Sequence, residues 1–386
     1  MNISEFCKIY TGTGFPIEFQ GKKNGKYPFY KVSDISVSNT QQKIFLDDAN
    51  NYIDEFDLSI LKGNLIPAGT IVFAKIGEAL KLNKRAITSC ECLIDNNVIG
   101  IKTDDNIINL LYFYYYLLKI DMLHYSESTT LPSVRKSTIE QIKVKIPPID
   151  VQNKRVTILN ICHKIIKNQV ELIHNLDLLV KSRFDELFLN THSIETIEIG
   201  ELFEVGSSKR ILQSELTTYG IPFYRVTDLI NRINDRPVDI KQYVDELKYM
   251  TLIKEKYVPQ AGDFLITARG TIGKIYEVKQ NDKFYFQDGM ITWLKRKNNY
   301  INNLFFMELV KTDWFRRQFY SSNNGTTISY LSITDTRHLK VLLPALNLQL
   351  QFAQEVYQIN KLKSDVRKSI DETQLLMDSL MQEYFG

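Results

Sequence analysis

The chain has 386 residues, 44% of them hydrophobic and 24% charged, with a formal net charge of +3. This is the composition of a soluble globular protein long enough for two domains, and near neutrality requires any nucleic-acid surface to be local or completed by partner subunits. The sequence has no apolar run of about 18 residues and no basic n-region or apolar h-region at its start, so no membrane span or signal peptide is expected.

In chain order, the first distinctive stretch is KYPFYKVSDI (26–35). PAGTIVFAKIG (67–77) follows, an apolar strand-like run that ends on a basic residue beside glycine. It overlaps the basic block KIGEALKLNKRAI (75–87). NLLYFYYYLLKIDML (109–123) reads as a helix whose aromatic cluster packs a core; base stacking is the competing reading. TTLPSVRKSTIEQIKVKIPPIDVQ (129–152) carries a strand to a proline corner, and a helix over 151–189 comes next. There Leu159, Ile166, Ile173, Val180 and Leu187 recur every seven residues, with Ile158, Ile165, Leu172 and Leu179 as a second track beside them.

The second half repeats this anatomy in the same order. GIPFYRVTDL (220–229) matches the first stretch, QAGDFLITARG (260–270) the second, and TTISYLSITDTRHLKVLLPALNLQ (326–349) the third. A final echo pairs SRFDELF (182–188) with SLMQEYF (379–385). Further strand-like runs lie in FYFQDGMITWL, and NLFFMELVKTDWFRRQF (303–319) reads as the counterpart of the first half's aromatic helix. A second long helix is expected over 347–385, with Phe352, Ile359, Val366 and Leu380 in register, Thr373 as an interruption, and Val356, Ile370, Met377 and Tyr384 alongside. At 1.5 Å per residue each helix would be about 55 Å long. Four matched blocks in one order indicate a tandem duplication, and its domain-sized period excludes a short solenoid repeat. The predicted fold is α+β: two tandem β-rich domains, each followed by a long helix, the two helices pairing as an antiparallel coiled coil with one globular domain at each end.

The repeated Pro-Phe-Tyr block, the AGD-FLI-ARGTIGK block (261–274) and the IPPIDVQ and LPALNLQ helix starts resemble the specificity (S) subunit of type I restriction-modification systems, over nearly the whole chain. The resemblance implies a target recognition domain over 1–146, a conserved spacer helix over 147–192, a second target recognition domain over 193–343 and a second spacer helix over 344–386. It implies a non-catalytic, cytoplasmic subunit that reads a bipartite, asymmetric site on double-stranded DNA. Two methyltransferase (M) and two restriction (R) subunits would be its partners. They would hold S-adenosylmethionine, ATP and Mg, and this chain would bind no cofactor itself. A specificity subunit of a system with fused cleavage and methylation activities is a related alternative.

Candidate DNA contacts are cations and small polar donors near glycines. The first basic block supplies Lys75, Lys81, Lys84 and Arg85; ARGTIGK supplies Arg269 and Lys274. Polar loops ahead of matched strands supply Thr129, Thr130, Asn323, Asn324, Thr326 and Thr327. A solvated basic hairpin and plain turns would have the same composition. Arg316 and Arg317 are a further basic pair, with a solvated helix face as the default. Lys31 with Asp34, and Arg225 with Asp228, read as ion pairs of the scaffold, because a repeated block should not carry two different specificities.

Enzyme motifs are weak. Thr11-Gly12-Thr13-Gly14 lacks the rest of a methyltransferase cofactor loop, and GTIGK (270–274) is too short for a Walker A loop and is followed by Ile275. Asp239 with Glu246 and Lys248 matches a nuclease pattern, the basis of an alternative reading as a stand-alone nuclease or modification enzyme. A structural coiled-coil adaptor is a third reading. His124, His163, His174, His192 and His338 show no metal-ligand spacing. Only four cysteines are present (Cys7, Cys90, Cys92, Cys162), with no CxxC pair, which fits a reducing compartment and argues against structural zinc.

Overall fold

A computed structural model describes residues 1–127, 131–190, 194–321 and 330–386. The chain forms two compact units, Met1–Ile173 with Asp365–Gly386, and His174–Ser364.

Unit 1 is built on a five-stranded sheet in the order Cys7–Thr11, Val98–Thr103, Thr70–Ala74, Ala86–Thr88, Phe45–Leu46. The TIVFA strand is buried throughout, so it reads as a continuous apolar run instead of an alternating one. Its two faces serve two cores. Ile71 and Phe73 join Ile99, Ile101, Tyr112 and Phe113 on one side, while Val72 joins Tyr30, Ile35 and Val98 on the other.

Unit 2 repeats the scheme with the order Phe203–Gly206, Ile291–Arg296, Phe264–Thr267, Ile275–Glu277. Here Phe264 and Ile266 face Phe305 and Phe306, and Leu265 faces Leu229 and Trp293. The Pro-Phe-Tyr blocks form equivalent small sheets. Phe29 and Tyr30 run parallel to Leu93 and Ile94, as Phe223 and Tyr224 do to Tyr285 and Phe286.

The repeated Asp has a different role from the predicted ion pair. Asp34 accepts the backbone N–H of Lys31 at 2.7 Å, and Asp228 that of Arg225 at 2.9 Å. Each carboxylate thereby closes the start of the helix that follows, Val32–Thr40 or Val226–Ile233. The Lys31 ammonium goes instead to Gln20, at 2.9 Å. The scaffold reading of this block holds, with capping in place of charge pairing.

The long helices span Ile149–Phe184 and Leu346–Phe385; a π-helical turn, Asp185–Leu189, extends the first. Within unit 1 they run antiparallel: Arg155 donates to the Tyr384 carbonyl at 2.8 Å, and Gln169 to the Ser369 hydroxyl at 2.7 Å. Within unit 2 they do the same, Arg183 meeting Glu355 at 3.1 Å and Lys363 pairing with Asp177. Of the two apolar tracks on the first helix, Leu159, Ile166 and Val180 are buried, whereas Ile158, Ile165, Leu172 and Leu179 are exposed.

Both helix starts carry the same lock. Gln152 and Gln349 are fully buried. The Gln152 amide oxygen accepts the Asn109 N–H at 2.8 Å, and its nitrogen donates to the Pro147 carbonyl at 2.9 Å. Gln349 does likewise with Asn302 at 2.8 Å and Pro344 at 2.8 Å. Asn109 and Asn302 in turn cap Leu110–Lys119 and Asn303–Leu309. One side chain therefore ties the proline corner, the long helix and the aromatic helix together.

Two expected helices are shorter than their apolar pattern. Leu110–Lys119 gives way to a short turn, Met122–Tyr125, started by Asp121. The 303–319 stretch divides into Asn303–Leu309 and Asp313–Ser321, because Thr312 turns its hydroxyl to the Phe315 N–H at 3.2 Å and restarts the helix. Tyr112, Phe113, Tyr114 and Tyr115 are buried, so the aromatic cluster is core.

Candidate nucleic-acid interface

In unit 2 the hairpin between Phe264–Thr267 and Ile275–Glu277 turns on Gly270 and Gly273, both at positive φ (71° and 79°). Thr267 braces it, accepting the Lys274 N–H at 3.0 Å and donating to the Thr271 carbonyl at 2.5 Å. Gly273 lies so close to the Phe319 ring that a Cβ would meet it at 2.4 Å. This position therefore requires glycine both for its backbone and for its packing. Arg269 is exposed and pairs across a β-bridge with Tyr330, its guanidinium 4.5 Å over the Tyr330 ring. The Leu331 N–H reaches the Ala268 carbonyl at 2.8 Å.

Unit 1 has the same pairing. Ile76 bridges to Ser133, the Val134 N–H reaches the Lys75 carbonyl at 2.9 Å, and the Gly77 N–H reaches the Pro132 carbonyl at 2.8 Å. In both units, therefore, the end of the central strand with its cation lies against the segment that follows the polar stretch of sequence (129–130 and 323–327). The pairing also accounts for the one-residue displacement of the basic residue between repeats. Lys75 occupies the place of Ala268, and Ile76 that of Arg269.

The candidate cations fare differently. Lys75 and Lys84 are half-buried and have no ion pair among the described residues, and Lys274 is half-buried at the hairpin. Lys81 is exposed but pairs with Glu78 at 2.5 Å. Arg85 is a correction, because it is 1% exposed. Its guanidinium lies 4.2 Å over the Phe73 ring and donates to Asn83 at 2.6 Å and to the Lys84 carbonyl at 3.1 Å, while Nε has no partner among the described residues. Burial pulls its pKa down to about 9. Arg85 is a core residue here, because its aliphatic stem and flat head fill apolar space. Thr129, Thr130, Asn323, Asn324, Thr326 and Thr327 lie outside the described residues. Arg316 and Arg317 are exposed.

Beside each Pro-Phe-Tyr block lies an open cleft that the sequence reading missed. In unit 1 it holds about 280 Å3 and is lined by Asp34, Lys43, Asp47, Asp48 and Asn50. In unit 2 it holds about 500 Å3 and is lined by Arg225, Asp228, Asn231, Asp239, Lys241 and Gln242. The same scaffold position thus carries a mostly acidic lining in one unit and a lining of balanced charge with amides in the other. The nuclease pattern does not converge: Lys248 pairs with Glu215, Glu246 with Lys283 at 3.7 Å, and Asp239 with Lys241 at 3.9 Å. Among the described residues no group of three His, Cys, Asp or Glu side chains is placed to hold a metal ion, and no helix is long and apolar enough to cross a membrane.

This arrangement is that of a duplicated recognition scaffold with unlike surfaces. Residues 1–176 and 192–372 each match the type I restriction modification DNA specificity domain, and the chain belongs to that family. It is 25% identical over 358 residues to a putative type I restriction enzyme specificity subunit of Haemophilus influenzae, covering 90% of this chain and 83% of that protein. It is 19% identical to the MjaVIII specificity subunit of Methanocaldococcus jannaschii, covering 99% and 90%. The fold matches the S subunit of a type I system from M. genitalium, with a TM-score of 0.55 at 16% identity, over all of this chain and 95% of that one. It also matches a chain solved in work on assembly and conformational transition of the type I system, with a TM-score of 0.58 at 13% identity, over all of this chain and 96% of that one.

Proposed function

We propose that this subunit recognises a bipartite, asymmetric sequence on double-stranded DNA, one half-site for each unit. The observation that carries this reading is the shared pairing of the strand end at Lys75 and Arg269 with the segment that follows a polar stretch of sequence, on two scaffolds whose exposed residues differ. Cations and backbone donors at such a strand end position phosphate, and unlike neighbours read unlike bases. The exposed track Ile158, Ile165, Leu172 and Leu179 forms a docking stripe for methyltransferase subunits, since an apolar row of that length on a helix is otherwise left in water. Two methyltransferase and two motor-nuclease subunits complete the assembly and bring S-adenosylmethionine, ATP and Mg, so that cleavage and adenine methylation lie on those chains.

The test is co-expression with the methyltransferase subunit encoded alongside, followed by sequencing that detects methylated adenine. The expected result is a split motif with a fixed gap that appears only when this chain is present. Methylation that does not depend on the chain would contradict the proposal.

A further inference from the structure

We infer that Arg269 is a base-reading residue that takes the major-groove edge of a guanine in the half-site of unit 2, and that Tyr330 positions it. The inference rests on the DNA-recognition reading above and deepens it.

Four observations converge. First, Arg269 is exposed, and among the described residues no carboxylate or hydrogen-bond acceptor meets its side chain, so its donors are free for a ligand. Second, the guanidinium is held 4.5 Å over the Tyr330 ring, and the backbones of the two residues are paired. Contact with the ring restricts the side chain before binding, which reduces the entropy lost on contact. A planar fork held in place matches the N7 and O6 acceptors of guanine; a phosphate would accept the same fork, and the two contacts differ in whether they depend on base identity. Third, the next residue, Gly270, is at positive φ (71°) with open space where a Cβ would stand, so the backbone beside Arg269 can lie close to a groove wall. Fourth, the counterpart of Arg269 in unit 1 is Ile76, which has no donor to offer. The two units therefore cannot read the same base at this place, and this guanine contact belongs to one half-site alone.

The test compares assembled complexes of the full chain with its methyltransferase subunit, carrying wild-type sequence, Arg269→Ala, Arg269→Lys or Tyr330→Ala. Each acts on a DNA library randomised over both half-sites, read by sequencing of methylated adenine. Wild type should require guanine at one position of one half-site. Arg269→Ala should relax that position by roughly 5- to 150-fold in relative preference, leaving the other half-site and the gap unchanged. Arg269→Lys should keep part of the preference, and Tyr330→Ala should relax the same position less than Arg269→Ala. Unchanged thermal unfolding of each variant separates recognition from folding. If Arg269→Ala lowers methylation equally at every sequence, the residue contacts phosphate and the inference fails. It fails equally if no guanine preference moves. A wild-type complex with no split motif would overturn the recognition reading and this inference together; a normal wild-type motif with an unmoved Arg269→Ala motif overturns the inference alone.

Discussion

Replacing Asp263 with alanine is expected to destabilise unit 2 by roughly 3–5 kcal/mol, because it orphans several buried donors at once. Asp263 is 5% exposed and accepts three hydrogen bonds: from the Gln260 N–H at 2.9 Å, the Trp293 indole at 3.0 Å and the Arg296 N–H at 3.0 Å. It thereby joins the turn before Phe264–Thr267, the strand that leads into the Arg269 hairpin, to the neighbouring strand Ile291–Arg296. The aligned residue in unit 1 is Thr70, which satisfies its own turn through the Pro67 carbonyl at 2.7 Å. The loss should therefore be confined to one unit. Hydrogen exchange should show protection lost in Phe264–Thr267 and Ile291–Arg296 and kept in Thr70–Ala74 and Val98–Thr103. Equal loss in both sets of strands, or none, would contradict this assignment.

Gln152→Leu and Gln349→Leu form the second large prediction. Each removes one acceptor from a half-buried Asn N–H and one donor from two carbonyls, Ile107 and Pro147 in unit 1 and Tyr300 and Pro344 in unit 2. The lost acceptor and the lost donor each cost about 1–3 kcal/mol, so a total of roughly 2–6 kcal/mol is expected for each variant. Leucine fills a similar volume, which separates the lost hydrogen bonds from a cavity effect. Denaturant unfolding followed by exchange protection at the aromatic helices should report Leu110–Lys119 for the first variant and Asn303–Leu309 for the second. A loss below about 0.5 kcal/mol, the usual range for a surface change, would show that the lock is not needed.

Much of the fold was legible because the duplication prints it twice. Blocks shared by both halves turned out to be scaffold: the capping Asp34 and Asp228, the buried Gln152 and Gln349, and the central strands. A seven-residue period located the long helices but not which of its two tracks faces inward, since Ile158 and Leu159 are equally apolar; packing alone buries Leu159. Helix lengths failed where a single hydroxyl or carboxylate competed for backbone donors, as at Thr312 and Asp121. The candidate site was less legible. Arg85 and Lys84 are neighbours in a basic run, yet Arg85, just ahead of the strand Ala86–Thr88, turns inward onto Phe73. The Tyr330 platform is far from Arg269 in sequence, and only strand pairing brings the two together. The polar clefts beside the Pro-Phe-Tyr blocks collect residues from several segments and leave no local signature.

The central claim is that one chain carries two independent reading heads. The most direct measurement exchanges residues 1–145 for the equivalent segment of another specificity subunit, assembles the chimera with its methyltransferase and reads the methylated-adenine motif. The account predicts that one half-site changes while the other half-site and the gap stay as they were. A change in both half-sites, or a single continuous motif, would contradict it.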